Sequence, residues 1–250
     1  MSFTEVVNSK ASYYNAATAT TAAVTLGAAV AVGDLIWCAV SYARASVGYV
    51  SNIATTGITT GTWTLRGQEG VIPGVDQVLG LWAAVATSAG TPTITATFVA
   101  TRTERSLYAG AFTGNDAAGT ADGGVGEYDA ATSNPSVTFA TTVNGDLLIG
   151  VSINSNQASA VAGSGFSTVT INGGLYPIAF EWKEQTTASG TTVVDFTSVS
   201  GTPGFVIIGA AFEPAGGSST RLGRSAQLNT TQGRPVQLRP TGINPFTFVR

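Results

Sequence analysis

The chain contains no histidine, one cysteine and two lysines among its 250 residues. Without histidine there can be no Ser-His-Asp or Cys-His nucleophile and no histidine-held zinc. The lone Cys38 excludes an intrachain disulfide and a cysteine metal cluster. It lies between Trp37 and Ala39 in an apolar run, the setting of a buried, inert thiol. Nothing indicates an oxidising compartment. No phosphate-binding Gly-x-x-x-x-Gly-Lys-Ser/Thr loop occurs, and Gly123-Gly124-Val125-Gly126 lacks the strand-to-helix context of a dinucleotide site. It reads as a flexible turn. Long hydrophobic runs are missing too. Residues 22–32 are apolar but end at Gly33-Asp34, far short of the ~20 residues of a membrane helix. The first fifteen residues lack a basic-then-apolar leader. Synthesis in the cytoplasm as a soluble chain is expected, with no cofactor, no bound nucleic acid and no membrane partner. Charge is scarce, at 10% of residues against the usual figure of about 25%. Thr, Ser, Asn and Gly must therefore cover the surface.

What is present is a stretch that occurs twice. The first copy, residues 24–112, carries Val24-Thr25-Leu26, Gly33-Asp34-Leu35-Ile36, Leu81-Trp82, Ala89-Gly90-Thr91 and Ala109-Gly110-Ala111-Phe112. The second, residues 137–212, carries Val137-Thr138-Phe139, Gly145-Asp146-Leu147-Leu148, Glu181-Trp182, Ser189-Gly190-Thr191 and Gly209-Ala210-Ala211-Phe212. The later landmarks are 100 positions apart and the Gly-Asp-Leu landmarks 112. The surplus of the first copy is expected as a loop between Ala43 and Gly61, and Trp82 and Trp182 are expected in corresponding strands.

Short apolar stretches alternate with turn residues, and no window has a 3.6-residue period. The fold class expected is all-β: two tandem antiparallel β-sandwich, jelly-roll-like units with an extended C-terminal arm. The expected divisions are residues 1–114, a linker at 115–135, a second unit at 136–213 and an arm at 214–250. The first residues offer only a weak edge strand around Phe3, Val6 and Val7. Trp63 and Leu65, two apart, should share a face.

Candidate chemistry is thin. Glu181 and Glu184 could form a carboxylate pair for glycoside hydrolysis, but alternation puts them on opposite faces of one strand. An ordinary surface charge beside Lys183 is the preferred reading of Glu181. Asp34 and Asp146 occupy the same place in both copies, where a carboxylate can bond turn amides. Asp116 to Asp129 could offer oxygens to calcium but lack EF-hand spacing, so a solvated linker is preferred. Tyr13, Tyr14, Tyr49 and Tyr128 could stack on sugar, while Trp82, Trp182, Phe98, Phe112, Phe196 and Phe212 read as core.

Charge is unevenly divided. Up to Glu213, six basic residues against fourteen acids leave −8. Beyond it lie Arg221, Arg224, Arg234, Arg239 and Arg250 and no acid, which is +5. A Gly-Gly-Ser-Ser linker, residues 216–219, lets this tail leave the body, and Pro235 and Pro240 keep it extended. Phe246, Phe248 and Val249 are apolar anchors that need a host. The partner-binding set expected is Arg221, Arg224, Arg234, Arg239, Phe246, Phe248 and Val249, docking on another copy or a shell protein.

The repeated Gly145-Asp146-Leu147-Leu148-Ile149, the Trp182 strand, Ser189-Gly190-Thr191-Thr192 and Ala210-Ala211-Phe212, with their first-copy counterparts, resemble Gly/Ala/Thr-rich tandem β-sandwich structural proteins of tailed bacteriophage particles. The resemblance covers about residues 21–213. It implies a non-enzymatic virion structural protein, most readily a capsid-exterior decoration or cement protein. The partners implied are its own copies in a homo-oligomer, capsid or other virion proteins, and host glycan in the alternative. That alternative is a tail or fibre binding module recognising host surface glycans; a glycan-cleaving enzyme ranks below both.

Overall fold

A computed structural model describes residues 2–43, 50–72, 75–129, 134–153, 159–167, 170–171, 177–198 and 205–216. Residues 221–250, with the whole expected partner-binding set, lie outside the described residues, as does Tyr49.

Among the described residues the backbone forms strands and no helix. The first half contains β1 (Thr4–Glu5), β2 (Ala11–Asn15), β3 (Ala19–Thr25), β4 (Leu35–Ala43), β5 (Val50–Thr56), β6 (Thr64–Ile72), β7 (Val75–Val85), β8 (Thr93–Arg102) and β9 (Arg105–Thr113). The second contains β10 (Ala121–Asp129), β11 (Ser136–Phe139), β12 (Asp146–Ile153), β13 (Ala160–Ala162), β14 (Thr170–Ile171), β15 (Ile178–Gln185), β16 (Thr192–Ser198) and β17 (Phe205–Phe212). Every pairing is antiparallel.

The strand order of the first half recurs in the second. The large sheets run β1-β9-β4-β7-β6, with β2 also on β9, and β10-β17-β12-β15-β14. The small sheets run β3-β8-β5 and β11-β16-β13. Among the described residues three cores lie between these sheets. One joins the first small sheet to the first large sheet through Val24, Ile94, Phe98, Cys38 and Trp82. The central one joins the two large sheets through Trp37, Leu81, Phe112, Ile149, Phe180 and Ile208. The third joins the second large sheet to its small sheet through Val137, Val194, Phe196 and Ile207. The body, residues 1–220, is thus one compact unit of four stacked sheets, and the halves share the middle core.

This layering explains the apolar run that begins β4. Leu35, Trp37 and Ala39 point into the central core, while Ile36, Cys38 and Val40 point into the first. A strand covered on both faces cannot alternate polar with apolar residues. The repeated Gly-Asp start has a backbone cause. Gly33 and Gly145 have φ of 94° and 86°, a region that L side chains rarely adopt.

Several expectations change. The surplus of the first copy is not one loop between Ala43 and Gly61. It is spread on both sides of β5 and into the hairpin of β6 and β7, strands of nine and eleven residues. The segment read as a linker contributes β10, which pairs along β17. Its glycines serve close approach: a Cβ on Gly124 would stand 3.0 Å from the Arg66 carbonyl oxygen, and one on Gly126 3.2 Å from Glu69 Cβ. Trp63 and Leu65 share a face, since Leu65 pairs with Trp82 of the first core, but not the same burial. Trp63 donates to Thr55 Oγ1 at 2.9 Å and packs on the first core, whereas Leu65 is exposed. Leu65 is on β6, the end strand of its sheet, where its side chain stays in water.

The tryptophan landmark also shifts. Trp82 and Trp182 lie in corresponding strands, β7 and β15, but Trp82 pairs with Cys38 and Trp182 with Ile149. Counted from Asp34 and Asp146, Cys38 corresponds to Gly150, and Gly150 pairs with Glu181. Glu181 therefore holds the place of Trp82, and Trp182 turns to the central core against Phe112.

Candidate functional site

That one-residue offset changes the chemistry inside the second half. The face of β7 toward its small sheet carries Val78, Gly80, Trp82 and Ala84, with Ala86 just beyond the strand. The matching face of β15 carries Ala179, Glu181, Lys183 and Gln185. An apolar stripe in one copy is a polar stripe in the other.

Gln185 organises one end of it. Its Nε2 donates to Thr141 Oγ1 at 2.7 Å, and Thr192 Oγ1 donates to its Oε1 at 3.1 Å. Thr141 and Thr192 are buried and lie within 3.3 Å of one another. Glu181 occupies the middle. It is 0% exposed, so the expected surface charge is in fact an interior carboxyl. Its Oε2 accepts the Gly163 N–H at 2.8 Å, and its Oε1 has no partner among the described residues. Burial pushes its pKa up to about 8; the Gly163 bond opposes that, Asp195 adds to it and Lys183 opposes it. Lys183 Nζ lies 4.1 Å from the Phe166 ring centre and 3.4 Å from the Ser164 carbonyl. Its own pKa is lowered, chiefly by burial.

Room for Glu181 comes from glycine. A Cβ on Gly150 would meet Val194 Cγ1 at 2.6 Å, and one on Gly209 would meet Phe139 Cε1 at 2.8 Å. The small sheet sits close to the large one because both positions lack a side chain.

A second carboxyl group lies at the end of the same face. Asp34 behaves as its place in the turn predicts: its Oδ2 accepts the Ala31 N–H at 2.7 Å. Asp146 does not. No donor among the described residues reaches either of its oxygens, and it faces the Asp122 carboxyl. A proton on Asp146 would make that contact attractive. Burial first, then the bond and charge of Asp122, then Glu213, push the Asp146 pKa up to about 8. Asp122 also accepts the Thr142 hydroxyl at 2.6 Å, the Val143 N–H at 2.7 Å and the Thr142 N–H.

The other candidates do not converge. Glu184 lies on the opposite face from Glu181, as alternation requires, and takes a bond from Ser2. Asp116 is occupied by Thr120, whose N–H and hydroxyl donate at 2.7 and 2.6 Å. Among the described residues no three Cys, Asp or Glu side chains form a group able to hold a metal. Tyr13 lies under the Arg105 guanidinium at 5.9 Å, and the exposed Tyr14 bonds Glu104 through its hydroxyl. Trp82 and Phe98, Phe112, Phe196 and Phe212 are core residues.

A cavity of about 250 Å³ lies beside Thr64, Arg66, Val85 and Gly119, just under the ~300 Å³ at which small-molecule sites begin. Arg66 Nη2 donates to the Gly119 carbonyl at 3.0 Å. Asp116 supports its charge against the dominant effect of burial.

The outer face of the first small sheet is different in kind. Thr25, Thr93 and Thr56 lie in one row, Ala23, Thr95 and Ala54 in the next, and Thr21, Thr97 and Asn52 in the third. It is half-exposed or exposed throughout, and no ionisable group interrupts it.

Sequence reading singled out Glu181 and Asp146 but not their surroundings, Asp195 and Asp122. The usable signal was the apolar pair two apart, Leu79 with Leu81 and Ile178 with Phe180. Matching those pairs, rather than the tryptophans, turns Glu181 inward. No family model, no curated protein and no solved structure matches the chain.

Proposed function

We propose that this chain is a non-enzymatic structural protein of a virus particle, placed on the capsid exterior as a decoration or cement protein. The observation that carries the reading is the four-sheet body. Its inner layers hold two repeats together, and its Glu181 and Asp146 carboxyl groups are buried. What it offers outward includes an uncharged, Thr-rich sheet face. Such a body suits repeated lateral packing, where like charges would repel. The acidic body and the five arginines at 221–250 supply opposite charges for contacts between copies or with the shell.

The test is to purify particles from the source culture, quantify the protein by mass spectrometry and locate it by cryo-electron microscopy. A fixed copy number on the shell is expected. Absence from particles overturns the reading. Density confined to tail or fibres, with retention on a glycan array, replaces it with a host-recognition module.

A further inference from the structure

The two halves differ at two corresponding places. In the first, Trp82 fills the interior and Asp34 is bonded by the Ala31 N–H. In the second, Glu181 and Asp146 are both 0% exposed carboxyl groups, and no described donor reaches Glu181 Oε1 or either oxygen of Asp146. We propose that the second half carries an alkaline-sensitive latch: loss of the protons held by Glu181 and Asp146 releases the β11-β16-β13 sheet from its large sheet, while the first half stays closed.

Both groups act on the same small sheet. Glu181 holds β13 through Gly163, the residue after that strand. The charged groups that face it are Asp195 of β16 and Lys183 of its own strand; β12 presents Gly150 and Ser152, and the β13 side presents Gly163 without charge. Asp195 is close by, since a Cβ on Gly163 would stand 2.4 Å from its Oδ1. An ionised Glu181 would be repelled by that carboxylate. Asp146 faces Asp122 of β10 and Glu213 beyond β17, and its register partner on β15 is the uncharged Gln185. Asp122 is the anchor of Thr142 and Val143, just after β11. A second charge on Asp146 repels that anchor.

The sign follows from the raised pKa values of about 8. In an open chain these groups would ionise near pH 4. Between about pH 4 and about pH 8 the closed state holds more protons than the open one. Rising pH therefore costs the closed state up to tenfold per pH unit for each group, and the loss levels off above about 8. Burial raises Asp34 as well, but its backbone bond opposes that, and no carboxyl replaces Trp82.

Hydrogen exchange by mass spectrometry on the full chain, divided by the intrinsic rate at each pH, tests this. Between about pH 6 and about pH 9, protection of residues 136–139, 160–163 and 192–198 should fall at least tenfold. Residues 19–25 and 93–102 should hold theirs. The double variant Glu181→Gln with Asp146→Asn should keep the second sheet protected at the higher pH. The proposal is overturned if both small sheets respond alike, if neither responds, or if the double variant opens as the parent does. Should that variant not fold, carbon-13 titration of the unaltered protein decides: midpoints near 8 for both carboxyls support the latch, and midpoints below about 5 reject it.

Discussion

Trp37 shows how one side chain can tie two repeats together. Its ring stacks on Phe180 at 4.1 Å and 3°, and meets Tyr108 edge-on at 5.3 Å. Phe180 belongs to the other half, so this contact crosses the central core. Trp37→Ala should cost about 3–5 kcal/mol, read as a lower urea midpoint with an unchanged slope. Two glycine changes separate backbone from packing causes. Gly33→Ala meets no atom within 4 Å but keeps a φ of 94°, so strain of about 1 kcal/mol or more is its whole cost. Gly150→Ala has ordinary backbone and instead drives a Cβ to 2.6 Å from Val194 Cγ1. Overpacking of about 1–3 kcal/mol is expected there. Only the second change should also disturb the β11-β16-β13 sheet, which chemical shifts of its amides would report.

Among elements, β6 and β10 are the least legible and the most constrained. They belong to different large sheets, yet they approach so closely that a Cβ on Gly124 or Gly126 would crowd β6. A Cβ on Gly67 would reach Ile208 Cγ2 at 2.6 Å. Gly67→Ala should therefore destabilise by about 1–3 kcal/mol. In a double-mutant cycle with Ile208→Ala the pair should be less damaged than the two single changes predict, by about 0.5 kcal/mol or more. Simple additivity would mean that β6 does not bear on β17 as described. The same crowding explains why a glycine-rich segment, which local pattern reads as a linker, is a strand. Its glycines are selected by a neighbour that is distant in sequence.

At the scale of the whole molecule, the central core makes the halves interdependent. Leu35, Trp37, Leu81 and Phe112 of the first half would be uncovered without Ile149, Phe180, Ile208 and Phe212 of the second. At about 25 cal/mol per Å² of apolar surface, exposing such a face draws directly on the roughly 5–15 kcal/mol by which a domain is stable. Residues 1–135 expressed alone should bind a hydrophobic dye and lack near-ultraviolet dichroism. The full chain near pH 6 should melt in a single transition. Two well-separated calorimetric transitions, or a well-folded isolated half, would contradict a shared core.

Much of this was legible in the sequence. Short apolar runs between turn residues determine an all-β chain, because period-two patterning can satisfy only strands. The repeated Gly-Asp starts determine where β4 and β12 begin, because the φ near +90° belongs to the local chain. The buried thiol of Cys38 was legible for the same local reason. Tertiary structure alone decided the rest. Alternation places Phe180 and Glu181 on opposite faces but cannot say which face is inside when both faces of a sheet are covered. The central core took Phe180 and Trp182, and the one-residue offset sent Glu181 into the second sandwich. The partner of Asp146 was hidden because Asp122 comes from a strand that exists only through its pairing with β17. Local chemistry wrote the strands and turns; which carboxyl groups lost their water was settled by how four sheets stack.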